Sequence, residues 1–398
     1  MSHFDTVKRV PGDPILGLID AYRSDSNPQK IDLGVGVYKD PHGNTPILPS
    51  VKIAERHLVD SETTKSYIGG HGDPLFTQHM ARLVLGADSP LLTGNRAGAT
   101  QTPGGTGALR LAGDFIRHCL PGRGIWLSDP TWPIHETLFA AAGLAVQHYP
   151  YVDADNRLAF DAMLAALQQI PRGDVVLLHA CCHNPSGFDL DQGQWRQVLD
   201  VVRARELLPL IDFAYQGFAE GLEADAWAVR LLAAELPEVL ITSSCSKNFG
   251  LYRERTGALV VVSATADSLT DVRSQLAAMA RSLWSTPPAH GAAVVAQILA
   301  DEGLRLTWQA EVEAMRVRIT ELRQGLLAAL QPYGLAQRFA HIGSQRGMFS
   351  YTGLTAEQVR RLRDEHRVYM VSSGRANVAG IDERRLDYLA AAIAKVSG

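Results

Sequence analysis

This sequence predicts an α/β fold: a mainly parallel central sheet with helices on both faces, plus a smaller α+β domain. Three observations carry that reading. From about residue 100 to residue 265, short apolar runs alternate with longer amphipathic ones, separated by Gly, Pro, Asp or Asn. Most of the short runs lack polar alternation, as strands covered on both faces do. Beyond residue 300 the pattern changes to one long amphipathic stretch followed by short strand-like pieces.

Taken in order, Asp13 before Pro14 reads as a helix N-cap with proline at the first helical position, and Ile15, Leu16, Ile19 and Tyr22 share one face. A helix over 108–120 follows the run Pro103-Gly104-Gly105-Thr106-Gly107. Strands are expected at 124–127, 146–149, 175–178, 208–211, 239–242 and 259–262, with helices over 159–167 and 195–206 among the connections. Right-handed crossovers place such helices on both sides of a parallel sheet. Val312, Met315, Ile319, Leu322 and Leu326 mark one long helix over 307–330, and 356–365 is a further amphipathic run. The expected division is an N-terminal segment, 1–45, joining the small domain; a large domain, 46–314; and a small C-terminal domain, 315–398.

Composition narrows the function. With 46% of its 398 residues hydrophobic, the chain can bury a large core, and its 35 Gly and 20 Pro are spread rather than pooled, which removes disordered and low-complexity readings. The 42 acidic residues against 38 basic give a net charge of -4, without a basic run to track a phosphate backbone, so nucleic acid is not an expected partner. The four cysteines, Cys119, Cys181, Cys182 and Cys245, are too few for a disulfide scaffold. A reducing cytoplasm suits them. The N-terminus lacks a signal-peptide core, and no apolar run is long enough for a membrane span. Cys181, Cys182, His183 and nearby His179 do not converge on one ion if they lie on a strand, because neighbours there point to opposite faces. No metal is expected.

Polar residues directly after the apolar runs are the ones to collect, since an open parallel sheet gathers its reactive groups outside the carboxyl ends of its strands. Gly104, Gly105 and Thr106 open a helix, where backbone N–H groups and the helix dipole favour an anion. Asp212 ends the strand at 208–211, with Tyr215 three residues on. Lys247 stands among small polar residues after the strand at 239–242, where desolvation lowers an ammonium pKa towards neutrality and leaves an amine able to bond an aldehyde. Arg255 precedes the next strand, a permanent cation suited to phosphate. Each has a plainer reading alone: a turn, a helix cap, a solvated lysine. Together they describe a site for pyridoxal 5'-phosphate, whose ring nitrogen needs an acid and whose aldehyde needs an amine.

With these residues the sequence resembles the class I aminotransferases of fold type I, within them the aspartate/aromatic amino acid group, on the side of the bacterial aromatic enzymes. The likeness runs through Asp13-Pro14-Ile15-Leu16, the segment from Asp32 to Tyr38, Thr63 to Tyr67, Gln101 to Ala108, Asp129-Pro130-Thr131-Trp132-Pro133, His183-Asn184-Pro185-Ser186-Gly187, Asp212 to Gly217, Ser244 to Gly250 and Ser373-Gly374-Arg375-Ala376-Asn377.

The resemblance implies that Lys247 holds the cofactor as a Schiff base and then shuttles the proton between the substrate Cα and the cofactor C4'. By the same likeness Asp212 keeps the ring nitrogen protonated, Tyr215 and Asn184 bond the phenolic oxygen, and Trp132 stacks on the ring. Gly104, Gly105, Thr106, Ser244 and Arg255 hold the phosphate, with Tyr67 reaching in from the partner of a homodimer. Arg375 takes the substrate α-carboxylate, Arg281 of the second subunit takes a distal carboxylate, and Gly36 and Phe349 line the substrate pocket. His135 and His179 support Asp212 from behind. Trp284 and Thr286 depart from the aspartate enzymes and favour an aromatic side chain, while Val37, Lys39 and Thr45 look like their lining. The implied reaction moves the amino group of tyrosine or phenylalanine, and of aspartate, to 2-oxoglutarate through alternating forms of the cofactor. The alternative is an aspartate aminotransferase with little aromatic activity.

Overall fold

The computed structural model describes residues 2–9 and 14–397. The expected Asp13 cap lies outside the described residues, as do the side chains of Ile15 and Leu16; the helix itself runs Pro14–Ser24. Among the described residues eleven strands follow in chain order: β1 (Ile31–Asp32), β2 (Ala97–Pro103), β3 (Ile125–Asp129), β4 (Val146–Pro150), β5 (Val175–His179), β6 (Leu208–Phe213), β7 (Val239–Ser244), β8 (Thr256–Val262), β9 (Phe349–Tyr351), β10 (Val368–Tyr369) and β11 (Arg375–Asn377). Seven form the central sheet in the order β2-β8-β7-β6-β5-β3-β4. Only β8 runs against its neighbours; the other pairings are parallel.

Period-two alternation divides each inner strand between two cores. Leu177, Leu210, Leu240, Leu259 and Val261 pack on one face with the helix Gly104–Cys119, through its Ala108, Leu111 and Phe115. Val176, Ile211, Ile241, Val260 and Val262 pack on the other. Both β7 and β8 are buried along their whole length, which explains their continuous apolar runs. By contrast β4 is an edge strand with Gln147 and His148 exposed. The sequence reading did not foresee β2, because Ala-Gly-Ala-Thr-Gln-Thr-Pro carries no apolar run; its Thr100, Gln101 and Thr102 are buried by the neighbours it pairs with.

Capping sets helix starts earlier than apolar spacing suggests. Asp191 and Gln194 form a capping box that opens the helix Gln192–Ala204, and Asp301 accepts from the Leu304 N–H to open the helix Glu302–Leu330. This long helix buries Val312, Met315, Ile319, Leu322 and Leu326 as spaced. Its fully buried Trp308 donates to the Asn248 carbonyl at 2.7 Å and stacks on Phe249, ring centroids 4.4 Å apart, so the helix anchors the turn that carries Lys247. Beyond it β11 and β9 pair antiparallel, and β10 pairs in parallel with β1, bringing the chain's early segment beside its C-terminal part. Among the described residues no helix is long and apolar enough to cross a membrane.

Candidate active site

Strand register brings the reactive groups to one end of the sheet. His179 on β5 stands beside Asp212 on β6, and Asp212 beside Thr242 on β7. At the same end Pro103 and Ser244 flank the start of β8, so the N-terminus of the helix Gly104–Cys119, the end of β7 and Arg255 meet there. A cavity of about 280 Å³ opens between these ends and the C-terminal part of the chain.

Lys247 lies three residues past β7 in a turn fixed by backbone bonds: Gly250 N donates to the Lys247 carbonyl at 3.0 Å, and Asn248 Nδ2 to the Gln216 carbonyl at 3.2 Å. The amine projects into the cavity with Nζ 4.9 Å from the centre of the Tyr215 ring. Burial lowers its pKa to about 8; the Asp212 charge opposes that, and Arg255 and Arg375 add to it. For Asp212, burial works against ionisation, but His135 Nε2 donates to Oδ2 at 3.1 Å, and this bond with the surrounding positive charge holds the carboxyl below its ordinary value. Thr131 Oγ1 bonds His135 Nδ1 at 2.8 Å, while burial pushes His179 down to about 3 and keeps it neutral. His135, His179 and Asp212 are the one cluster among the described residues whose ligand atoms lie close enough for an ion, and neither cysteine of the 181–182 pair joins it. Its bonds make it a support for the Asp212 carboxylate.

Around the helix N-terminus the chain packs closely enough to exclude a side chain at Gly104. Gly104 has φ +74°, and a Cβ there would stand 2.6 Å from Arg255 Nη2; one at Gly105 would stand 3.1 Å from Ser244 Cβ. Arg255 is held by Nη1 donating to the Tyr252 carbonyl at 3.0 Å. Backbone amides, the Thr106 and Ser244 hydroxyls and a guanidinium therefore share one concave spot. On the far wall Arg375, only 4% exposed, donates through Nη2 to the Gly34 carbonyl at 2.9 Å and lies 4.4 Å over the Phe349 ring, leaving its buried Nε without a partner. Gly36 faces Phe349 so closely that a Cβ would meet its Cζ at 2.9 Å. Trp132, Asn184 and Tyr215 complete the walls.

Compared with known proteins, residues 28–393 match the family model for aminotransferase class I and II. The chain belongs to this family. It is 74% identical over 396 residues to the aromatic-amino-acid aminotransferase of Pseudomonas aeruginosa, covering 100% of this chain and 99% of that one. It is 48% identical to the aspartate aminotransferase of Escherichia coli, over 99% and 100% of the two chains. A crystal structure of the aromatic-amino-acid aminotransferase from Burkholderia pseudomallei, covalently bound to pyridoxal phosphate, superposes with a TM-score of 0.97 at 47% identity and covers 100% of both chains. This protein is thus an aminotransferase of a pyridoxal-phosphate-dependent family.

Three of the aminotransferase's expected site residues do not line the cavity: Gly104 is buried behind Arg255, and two others lie at the surface. Tyr67 is 93% exposed, and Arg281 is exposed at the end of the helix Ala266–Leu283 with its guanidinium on the Ser285 hydroxyl. Conversely, Leu109, Ala214, Ser246 and Tyr252 line the cavity and were missed. A signal existed for three of them: Leu109 lies one helical turn past Thr106, and Ala214 and Ser246 adjoin Tyr215 and Lys247. Nothing in the sequence points to Tyr252, whose hydroxyl accepts from Tyr38 N at 3.0 Å and ties the cavity to the early segment.

Proposed function

We propose that this aminotransferase moves the amino group of tyrosine or phenylalanine, and of aspartate, to 2-oxoglutarate in two alternating half-reactions, with pyridoxal phosphate held on Lys247. The observation that carries the reading is the convergence of a buried amine, an acid and an anion cradle at one end of the sheet. The concave spot lined by Gly105, Thr106, Ser244 and Arg255 fits the phosphate, and these residues are its donors. When bound, the cofactor supplies an electrophilic aldehyde and an electron-poor ring that takes up the pair left when the substrate Cα–H bond breaks.

Lys247 Nζ, which burial lowers to about 8, is the base that takes the Cα proton and returns it at C4'. Asp212, held ionised by His135, keeps a proton on the ring nitrogen. Asn184 and Tyr215 bond the phenolic oxygen, and Trp132 covers one ring face. Arg375 receives the substrate α-carboxylate; its unpartnered Nε supports that role, since a buried guanidinium N–H is costly without an acceptor. Gly36 and Phe349 shape the side-chain pocket. Arg281 and Tyr67 serve the site of a second copy in a homodimer. A further hollow of about 790 Å³ beside Tyr67, lined by Ile68, His71 and Arg273 with a buried, unbonded Arg273 Nε, supports that assembly. The reading keeps the domain limits 1–45, 46–314 and 315–398 and a cytoplasmic setting, which suits four free cysteines.

The 74% identity to an aromatic enzyme supports the aromatic substrates. The alternative, an aspartate aminotransferase with little aromatic activity, draws on Val37, Lys39 and Thr45. Comparing kcat/KM for aspartate, tyrosine, phenylalanine and tryptophan with 2-oxoglutarate decides between them. An aromatic value far below that for aspartate overturns the first reading. Replacing Lys247 by Ala should remove both the covalent link to the cofactor and the activity; a coloured, active Lys247→Ala protein would refute the role of this amine.

A further inference from the structure

Asn184 sits in a loop whose backbone needs outside support. Cys182, two residues before it, has φ +52°, a left-handed conformation that a residue with a Cβ holds only when its surroundings fix it. The two backbone amides at the start of the loop are held by one carboxylate, while the Ser128 and Ser186 hydroxyls bond the His183 ring. Asp189 Oδ2 accepts from Cys182 N at 2.7 Å, and Oδ1 from His183 N at 3.0 Å. The loop so fixed delivers Asn184 N to His179 Nδ1 at 3.2 Å and stacks the His183 ring between Tyr151 and His179, at centroid distances of 3.9 and 4.2 Å. It also presses on the C-terminal part: Arg346 N donates to the Gly187 carbonyl at 2.6 Å, and Cys182 fills the space where a side chain on Gly347 would be, two residues before Phe349.

We propose that Asp189 is a positioning residue of the aminotransferase: by clamping the Cys182 and His183 amides it aims the Asn184 side chain into the cavity and seats the segment that presents Phe349. The proposal rests on the reading above, in which Asn184 bonds the cofactor's phenolic oxygen. Asp189 does not line the cavity. Its effect is transmitted through two peptide N–H groups, which Asn cannot serve as fully because its amide offers one acceptor and one pair of donors.

The test compares Asp189→Ala and Asp189→Asn with Asp174→Ala. Asp174 makes a similar pair of bonds, from Gly124 N and Trp126 Nε1 at 3.0 Å each, but immediately before β5, at the opposite end of the sheet. Two readouts are taken: amide hydrogen exchange of residues 181–184 in cofactor-free protein, and the pH midpoint of the visible absorbance of the loaded protein. Both Asp189 variants should speed exchange at Cys182 and His183 and raise the midpoint by about half a pH unit or more, since a hydrogen bond that favours the unprotonated form is weakened. Asp174→Ala should leave both unchanged. Unchanged midpoints in the Asp189 variants, or an equal rise in Asp174→Ala, overturn the proposal; should Asp189→Ala not fold, Asp189→Asn alone decides by the same readouts. A parent protein whose visible band survives Lys247→Ala would instead refute the underlying reading.

Discussion

At the scale of the residue, the chain accepts a standing cost at Lys247. Its amine titrates near 8 when folded against 10.5 when free, so the folded state binds fewer protons over that interval. Below pH 8 both states hold the proton and burying the charge costs about 3 kcal/mol; the cost falls as pH rises and vanishes above the free value. Replacing Lys247 by Met should therefore stabilise cofactor-free protein by up to about 3 kcal/mol at neutral pH, with the gain disappearing by about pH 10. Urea unfolding of both proteins across that range checks it, and a gain constant with pH would mean that packing, not charge, is the cause. His179 gives the same slope in a more acidic window. Held neutral with a folded value of about 3, it adds no cost above its free value of 6.5, and it destabilises the fold increasingly as pH falls through 6.5 towards 3. Replacing His179 by Gln should flatten the acid limb of the stability profile.

At the scale of the element, the anion cradle depends on how closely a strand end, a helix start and the lead into β8 approach one another. Gly104 is where they meet, with φ +74° and no room beside Arg255 Nη2. Gly104→Ala should weaken pyridoxal phosphate binding roughly tenfold or more, through a displaced guanidinium and a strained backbone, while the fold survives. A titration of cofactor-free protein checks this, and unchanged affinity would show that the phosphate is held elsewhere. This element-scale geometry also explains what could be read in the sequence. Leu208 to Ile211 and Val239 to Thr242 were legible because burial on both faces leaves an unbroken apolar run, and Asp212 and Lys247 were legible as polar residues just beyond such runs. The strand β2 was not, since its burial comes from partners rather than from its own apolarity. Nor was the reversed direction of β8, because strand polarity leaves no trace in composition. Tyr252 escaped for a related reason: its place in the cavity is set by a contact with Tyr38, far away in the chain.

At the scale of the whole molecule, the deciding fact is that Tyr67 and Arg281 project outward while the groups they are proposed to assist lie within one chain's cavity. A site completed across a two-fold axis makes each copy both donor and recipient, which a mixing experiment can separate. Arg281→Ala alone should reduce kcat/KM for aspartate far more than for phenylalanine, because only aspartate offers a distal carboxylate to the missing guanidinium. Lys247→Ala alone should be inactive with both. In a dimer holding one chain of each kind, the site built on the intact Lys247 receives Arg281 from the other chain and is whole, while the second site lacks both groups. Equal amounts unfolded and refolded together should therefore recover aspartate activity to about a quarter of the parental value, since half of randomly assembled dimers are mixed and each has one complete site. If Arg281 served its own chain, every mixed dimer would contain one site without the amine and one without the guanidinium, and mixing would restore nothing. The recovery must also depend on assembly: mixing the two folded homodimers without exchange of chains should leave aspartate activity at the level of the Arg281→Ala protein alone.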